Sequence, residues 1–421
     1  MNAHHFIPRV EDDALLRGRG RYADDVDMPG LAYAAFVRSP HGHARIVSID
    51  TAEAKATPGV LAVLTNADLT ASGVTGVGGH MPMKGRGGAK LIVPHRPALA
   101  EERVVHVGQP VVLVVATSAA LAQDAAEKVA VDYEDLAAVT EVAAATKAGA
   151  PQIWPEAAGN VALDWPGPVP DEANEREVER VIAGAPRVAR VTCTNARISG
   201  APMEPRGATA SYDKDKDLYT LRVSSQSANA MREGLLGLLG LKREQLRVIT
   251  EEVGGAFGLK TGPYPEYPAL MVAAKQLGRP VHWMSTRAES FLTDNQARDV
   301  LFTGELAIDD HGRFLALRVR TLANLGAYVT GVGAHIQTNN FSRCFPGMYR
   351  IPLVDVGVTC VFTNTVPTGP FRGAGRPEAN YVLEQLVEEA SRITGIARDR
   401  IRKRNLIPPS AIPYKTAVGT T

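Results

Sequence analysis

The chain of 421 residues sets 46 Lys and Arg against 45 Asp and Glu, a formal charge of +1, and 45% of it is apolar. That balance excludes the basic footprint of a nucleic-acid binder and the acidic make-up of a disordered tail, while the length predicts two or three domains. Three scattered cysteines, Cys193, Cys344 and Cys360, with no C-x-x-C pair, exclude a disulfide framework, a zinc ribbon and an iron–sulfur cluster held by this chain. No stretch approaches the roughly 18 apolar residues of a membrane span, and the start has no apolar leader, so a soluble, cytoplasmic protein is expected. The 39 Gly and 28 Pro, about 16% of the chain against an ordinary 12% or so, predict many loops whose shape the backbone decides.

In chain order, Leu31–Phe36 and Val60–Leu64 are apolar runs of strand length, the second introduced by the turn Pro58-Gly59. Residues 70–89 read as a glycine-rich loop. Pro110–Ala116 is wholly apolar, as in a strand buried on both faces, and with a helix over 118–130 and a strand over 131–134 it predicts a β-α-β unit. From 138 to 174 the composition turns to Ala, Gly and Pro without period, the mark of a domain boundary. Strands are then expected at 188–195, 218–224 and 245–250, with a helix over Ala228–Leu239 capped by Ser227. Leu301–Ile308 and Phe314–Leu322 flank Asp309-Asp-His-Gly312 as a hairpin. The strongest helix is Pro377–Thr394, whose apolar positions keep the 3.6 period between Pro377 in its first turn and Gly395 just past its end.

Three loops at junctions of regular elements could carry chemistry. Val253-Gly-Gly-Ala-Phe-Gly-Leu-Lys260 follows a strand and could turn backbone N–H groups toward an anion, although Leu259 breaks the Gly-Lys pair that a Walker A loop needs. Pro367–Glu378 leads into the strong helix and adds Arg372 and Arg376, a combination suited to an oxyanion or a cofactor. Ser224-Ser-Gln-Ser227 places Gln226 where its amide could enter a site. His41 and His43 would share one strand face without a third metal ligand, His335 reads as a loop residue, and Glu204 beside Arg206 reads as half of an ion pair. No Ser/His/Asp or Cys/His arrangement can be assembled.

Taken together, Arg38-Ser-Pro-His-Gly-His-Ala-Arg45, Gly108-Gln-Pro110 with Asp132-Tyr-Glu-Asp-Leu136, Met203-Glu-Pro-Arg206, Gly254-Gly-Ala-Phe-Gly258 and Phe371-Arg-Gly-Ala-Gly-Arg-Pro-Glu-Ala379 resemble, in this order, the molybdopterin-binding large subunit of the xanthine oxidase family. The resemblance runs along nearly the whole chain and is nearest the bacterial aldehyde oxidase and carbon monoxide dehydrogenase-like group. It implies a mixed α/β architecture: an α/β hammerhead domain over 1–139, a linker over 140–164, and the first molybdenum-cofactor-binding domain over 165–421. It implies that Gln226, Gly255, Ala256, Phe257, Gly258, Arg372 and Gly373 hold the cofactor, and that Asn340, Ala374 and Thr261 line the substrate pocket. Molybdenum would be held through the pterin, in its cytosine dinucleotide form, with no side-chain ligand from the protein.

The departures from the family pattern narrow the chemistry. Asn340 and Thr261 stand where purine-oxidising members have an arginine and a glutamate, which sets purines aside. No cysteine adjoins Arg372, which sets aside a copper–molybdenum centre. Family large subunits are about twice as long, and the general-base glutamate lies in their second half. The chain is therefore expected to be the first part of a split subunit, as in nicotinate dehydrogenase, with no catalytic residue of its own. It would oxidise an aldehyde or N-heteroaromatic substrate with water as oxygen source, the base coming from a second half-subunit and electrons leaving through 2Fe-2S and FAD subunits. Two rivals remain: a non-catalytic remnant or assembly protein of the same fold, and an unrelated phosphate-binding enzyme that uses Gly254–Lys260.

Overall fold

A computed structural model describes residues 8–78 and 80–421; Gly79, in the expected glycine-rich loop, lies outside the described residues. Three sheets organise the described residues. The largest has seven strands in the order Leu246–Ile249, Leu218–Val223, Gly207–Asp213, Val281–Met284, Ala32–Arg38, Pro110–Ala116 and Val60–Leu64. It joins early and late parts of the sequence, because Ala32 and Tyr33 pair in parallel with Val281 and His282. A sheet of five runs Val161–Trp165, Leu353–Phe362, Phe314–Gly326, Val300–Ile308, Arg187–Asn195, and a sheet of three runs Arg103–Val104, Ala44–Asp50, Ala130–Asp135.

Pro110–Ala116 is buried on both faces, as its composition requires: Leu113 and Val115 enter one core, Val112 and Val114 another. The strand after its helix is placed differently from expectation. Ala130–Asp135 pairs antiparallel with Ala44–Asp50 in the small sheet, so Ser118-capped Ala119–Ala126 bridges two sheets and no β-α-β unit forms. The strand shows why: its exposed face carries Asp132 and Glu134, which suits an edge and not a doubly buried position.

The segment 140–164, expected as a linker, is packed. Ile153 and Trp154 are buried, the Trp154 indole N–H donates to the Ala327 carbonyl at 2.7 Å, and Val161–Trp165 is an edge strand of the five-stranded sheet. Its Ala-rich composition hid a core contribution made by two large side chains.

Elsewhere local chemistry and structure agree. Ser227 accepts from the Ala230 N–H at 3.1 Å and starts Ala228–Leu239, which Gly240 ends in the left-handed conformation. The Asp309 carboxylate accepts from the N–H groups of His311 and Arg313 and fixes the hairpin turn. Arg376–Thr394 buries Val382, Leu383, Leu386 and Val387 against the five-stranded sheet and stops at Gly395 with φ 70°. At roughly 25 cal/mol per Å² of apolar surface, each such side chain contributes about 1.5–3 kcal/mol. Among the described residues no helix is long and apolar enough to cross a membrane.

Candidate functional site

Two pairs of parallel neighbours, one in each large sheet, send the loops from their C-terminal ends to the same place. In open α/β sheets that end of a strand is where ligands gather, because backbone turns there leave N–H groups free. From the seven-stranded sheet come Ser224–Ser227, after Leu218–Val223, and the glycine loop 253–260, after Leu246–Ile249. From the five-stranded sheet come residues 329–340, after Phe314–Gly326, and the loop 367–375, after Leu353–Phe362.

Hydrogen bonds tie these loops together. The Gly258 N–H donates to the Gln226 side-chain oxygen at 2.8 Å, the Gln226 N–H donates to the Lys260 carbonyl at 2.9 Å, and the Arg372 N–H donates to the Phe257 carbonyl at 2.9 Å. Gln226 is exposed, and its amide NH2 has no partner among the described residues, so its donors face outward. Phe257 takes φ 52° with 43% of its surface exposed. Gly258, at φ 112°, has no room for a side chain: a Cβ there would sit 2.6 Å from the Pro370 carbonyl oxygen. Gly375, at φ 92°, likewise lies against the Ile336 carbonyl and lets the helix Arg376–Thr394 begin beside the loops.

Non-glycine residues in left-handed conformations concentrate here: Ala201, Phe257, Arg298, Asp299 and Ala374. Each costs on the order of 1–3 kcal/mol and persists because its surroundings fix it. Arg298 shows how. Its guanidinium pairs with buried Glu378, donates to the Arg372 carbonyl at 3.0 Å and lies over the Phe371 ring, while Asp299 holds Arg197 at 2.7 Å. Nothing in the local run Gln296–Val300 marks Arg298 and Asp299 as site residues.

Beneath the glycine loop lies an ion pair different from the one expected. Glu204 does not pair with Arg206 but with Lys260, fully buried, at 2.9 Å; its carboxylate also accepts from Ser224 at 2.5 Å, the Gly254 N–H at 2.9 Å and the Ala23 N–H at 3.0 Å. Burial raises the Glu204 carboxyl, but the bonds from Ser224, Ala23 and Lys260 outweigh it and leave it below the ordinary carboxylate range. Lys260 is thereby spent inside the fold, so it cannot reach a phosphate, and the phosphate-loop rival loses its cation. Arg206 turns the other way, to Glu266 at 3.0 Å and Asp294 at 2.5 Å. Burial raises the Glu266 carboxyl, yet the charges of Arg206 and Arg38 bring it down to about 2.

Thr261, Asn340 and Ala374, the three residues expected at a substrate pocket, line one cavity of about 580 Å³. Met81, Val329, Val332 and Ile336 give it a mostly apolar wall, and its size falls in the roughly 300–1,000 Å³ range of small-molecule sites. Asn340 ends a turn of π-helix, Ile336–Asn340, a distortion frequent at functional sites. Gly255 faces Pro202, Ala256 is buried under the loop with its carbonyl bonded to the Leu259 N–H, and Gly373, at φ 97°, turns the chain into Pro377. The arginines flanking the turn, Arg372 and Arg376, are exposed.

His41 and His43 do not share a strand face. They lie in the bend before Ala44–Asp50, where His41 pairs with Asp135 at 2.7 Å and His43 meets the Ala137 carbonyl at 2.8 Å. His335 sits in a helical turn, not in a loop. Among the described residues no three His, Cys, Asp or Glu side chains are grouped to hold a metal ion.

Comparison with known proteins gives two family matches: residues 160–406 to the molybdopterin cofactor-binding domain, and residues 17–137 to the a/b hammerhead domain of aldehyde oxidase and xanthine dehydrogenase. The carbon monoxide dehydrogenase large chain of Afipia carboxidovorans is 34% identical over 98% of this chain and 51% of its own length. The crystal structure of quinoline 2-oxidoreductase from Pseudomonas putida 86 superposes with a TM-score of 0.88 at 34% identity, again over 98% of this chain and 51% of that one. The chain thus spans about half the length of these relatives. The nicotinate dehydrogenase large molybdopterin subunit of Eubacterium barkeri is 27% identical over 94% of this chain but 88% of its own length.

Proposed function

Because the chain belongs to the xanthine oxidase family, whose molybdopterin cofactor-binding domain its residues 160–406 match, we propose that it is the cofactor-holding half of a molybdenum hydroxylase acting on an aldehyde or an N-heteroaromatic compound, with water as the oxygen source. The observation that carries this reading is a juxtaposition: the cradle of Gln226, Phe257, Gly258 and Arg372 adjoins the cavity lined by Thr261, Asn340 and Ala374.

The residues present suit molybdopterin. A flat, polar, anionic group needs loops brought close together with outward donors; Gly258 and Gly373 let the two loops pack tightly against Pro370 and Pro377, and the Gln226 amide, Arg372 and Arg376 supply the donors. When bound, the cofactor supplies the two-electron redox chemistry of the hydroxylation. Everything else asked of this chain is positioning. Gln226 is held by the Gly258 N–H so that its NH2 group faces the cofactor side. Arg298 fixes the Arg372 carbonyl and hence the rim of the cradle. The apolar wall from Val329 to Ile336 excludes water from the substrate.

The likeness to bacterial members of the family supports a cytosine dinucleotide form of the pterin. A companion half-subunit bringing the catalytic glutamate is supported by the half-length match to the Afipia carboxidovorans chain and by the 88% coverage of the Eubacterium barkeri subunit, and 2Fe-2S and FAD subunits would carry the electrons away. Phe371 and Gly373 flank Arg372, so no thiol is at hand for copper, and carbon monoxide is set aside as substrate. The complex purified with its companion chains is expected to oxidise at least one of a panel of aromatic aldehydes and azines with an artificial electron acceptor. A complex that holds molybdenum yet turns over none of them would replace this reading with that of a non-catalytic cofactor-binding protein.

A further inference from the structure

One charged side chain on the wall of the large cavity has no counterpart. Arg96, between Pro94 and Pro97, is 9% exposed and makes no hydrogen bond or ion pair through its guanidinium among the described residues. Its backbone is anchored, the carbonyl accepting from the Val77 N–H at 2.6 Å. Its guanidinium lies 5.3 Å from the centre of the Tyr328 ring, and that ring is itself fixed by Gln109, which donates to its hydroxyl at 3.2 Å, and by contact with Trp154. Burial lowers the pKa of Arg96, and Tyr328 and the charge of Glu266, which makes no contact with the guanidinium, offset this only in part. Every other deeply buried arginine described above, Arg206 and Arg298, has a carboxylate partner.

Among the described residues, neither this cavity nor the adjoining one of about 270 Å³, which shares Val77, His80, Arg96 and Val329 with it and adds His95, is lined by an Asp or Glu. A buried cation without a partner costs several kcal/mol unless an anion completes it. Arg is also the side chain whose planar fork matches a carboxylate, and its backing on Tyr328 holds that fork in place.

We propose that the cavity takes a substrate bearing a carboxylate, and that Arg96 is the residue that recognises it, holding the apolar body of the molecule between Val329 and Ile336 with its reacting carbon toward Ala374 and the cofactor cradle. This rests on the hydroxylase reading above and narrows its substrate class to aromatic or heteroaromatic acids, or aldehydes that carry a second, acidic group.

The test is isothermal calorimetry on the purified complex with benzoate, benzamide and inorganic phosphate as probes, for the natural protein and for R96M and R96K, whose urea midpoints are measured alongside. Benzoate is expected to bind, to weaken by roughly 10- to 100-fold in R96M as a charge-assisted pair is lost, and to keep an intermediate affinity in R96K, with the preference for benzoate over benzamide collapsing in step. In turnover, R96M should raise KM for carboxylated substrates far more than it lowers kcat. Equal benzoate affinity in R96M and the natural protein at unchanged stability overturns the proposal, as does binding of phosphate without binding of benzoate. Calorimetry needs no turnover, so benzoate bound through Arg96 by a complex without hydroxylase activity would count against the proposed reaction and still support the recognition.

Discussion

Replacing Lys260 with methionine isolates what lies under the glycine loop. The ammonium is fully buried and makes three contacts, at 2.9 Å to the Glu204 carboxylate, 2.8 Å to the Glu204 carbonyl and 2.8 Å to the Ser224 hydroxyl. Methionine fills much of the same space, so the loss is one of charge and hydrogen bonding and not of volume. What remains is a carboxylate without a cation, still bonded to Ser224 and to the N–H groups of Gly254 and Ala23. Removing one member of a buried pair costs about 3–5 kcal/mol, because the other charge stays desolvated. In the double variant E204Q/K260M no charge is stranded, and a coupling of about 1–3 kcal/mol should be recovered relative to the sum of the single changes. Equilibrium urea unfolding of the three variants and the natural protein gives the cycle. Because Glu204 also grips the Gly254 N–H, the single variant should purify with less molybdenum, while the double variant recovers part of it. A K260M variant that loses less than about 1 kcal/mol, or a double variant that recovers nothing, would refute the assignment of this pair as the support of the loop.

Stability should fall on acidification in two stages. Burial holds the His106 imidazole down to about 3, so between there and its ordinary value near 6.5 the unfolded chain binds the extra proton and stability drops as pH falls. Glu266, held at about 2 against an ordinary 4.5, adds a second loss below pH 4.5, and H106Q should remove the first stage alone in urea midpoints taken from pH 7.5 to 4. G258A puts a methyl group 2.6 Å from the Pro370 carbonyl at a φ of 112°, and should cost more than about 1 kcal/mol and lower molybdenum content measured by plasma emission. Q226A removes the outward amide without disturbing the core, and should reduce molybdenum content or kcat by roughly 10- to 100-fold at an unchanged urea midpoint.

What could be read from the residues was whatever local chemistry decides. Ser227 and Gly395 mark helix ends because capping and left-handed glycine are local, and Pro110–Ala116 declares its double burial by having no polar face. The site loops were legible as loops for the same reason. Their convergence was not, since it depends on which strands are parallel neighbours in two different sheets. The same limit explains the misplaced details. Ala130–Asp135 joins another sheet through a partner some 85 residues earlier, Arg206 finds Glu266 and Asp294 instead of its neighbour Glu204, and Arg298 and Arg96 become informative only once burial shows which of them has an acid beside it. Sequence proximity suggested Glu204–Arg206, but Glu204 lies in a bend and not in an extended strand, and the fold brings Lys260 to Glu204 and Glu266 and Asp294 to Arg206.

The central claim, that Gln226, Gly258 and Arg372 belong to a cradle for molybdopterin, is tested most directly by native purification followed by metal and pterin analysis of whatever elutes with this chain. The account predicts molybdenum near one atom per chain, a pterin released on denaturation, and a companion polypeptide that supplies the remaining half of the family's large subunit. A chain that elutes alone, without molybdenum or pterin, would contradict it.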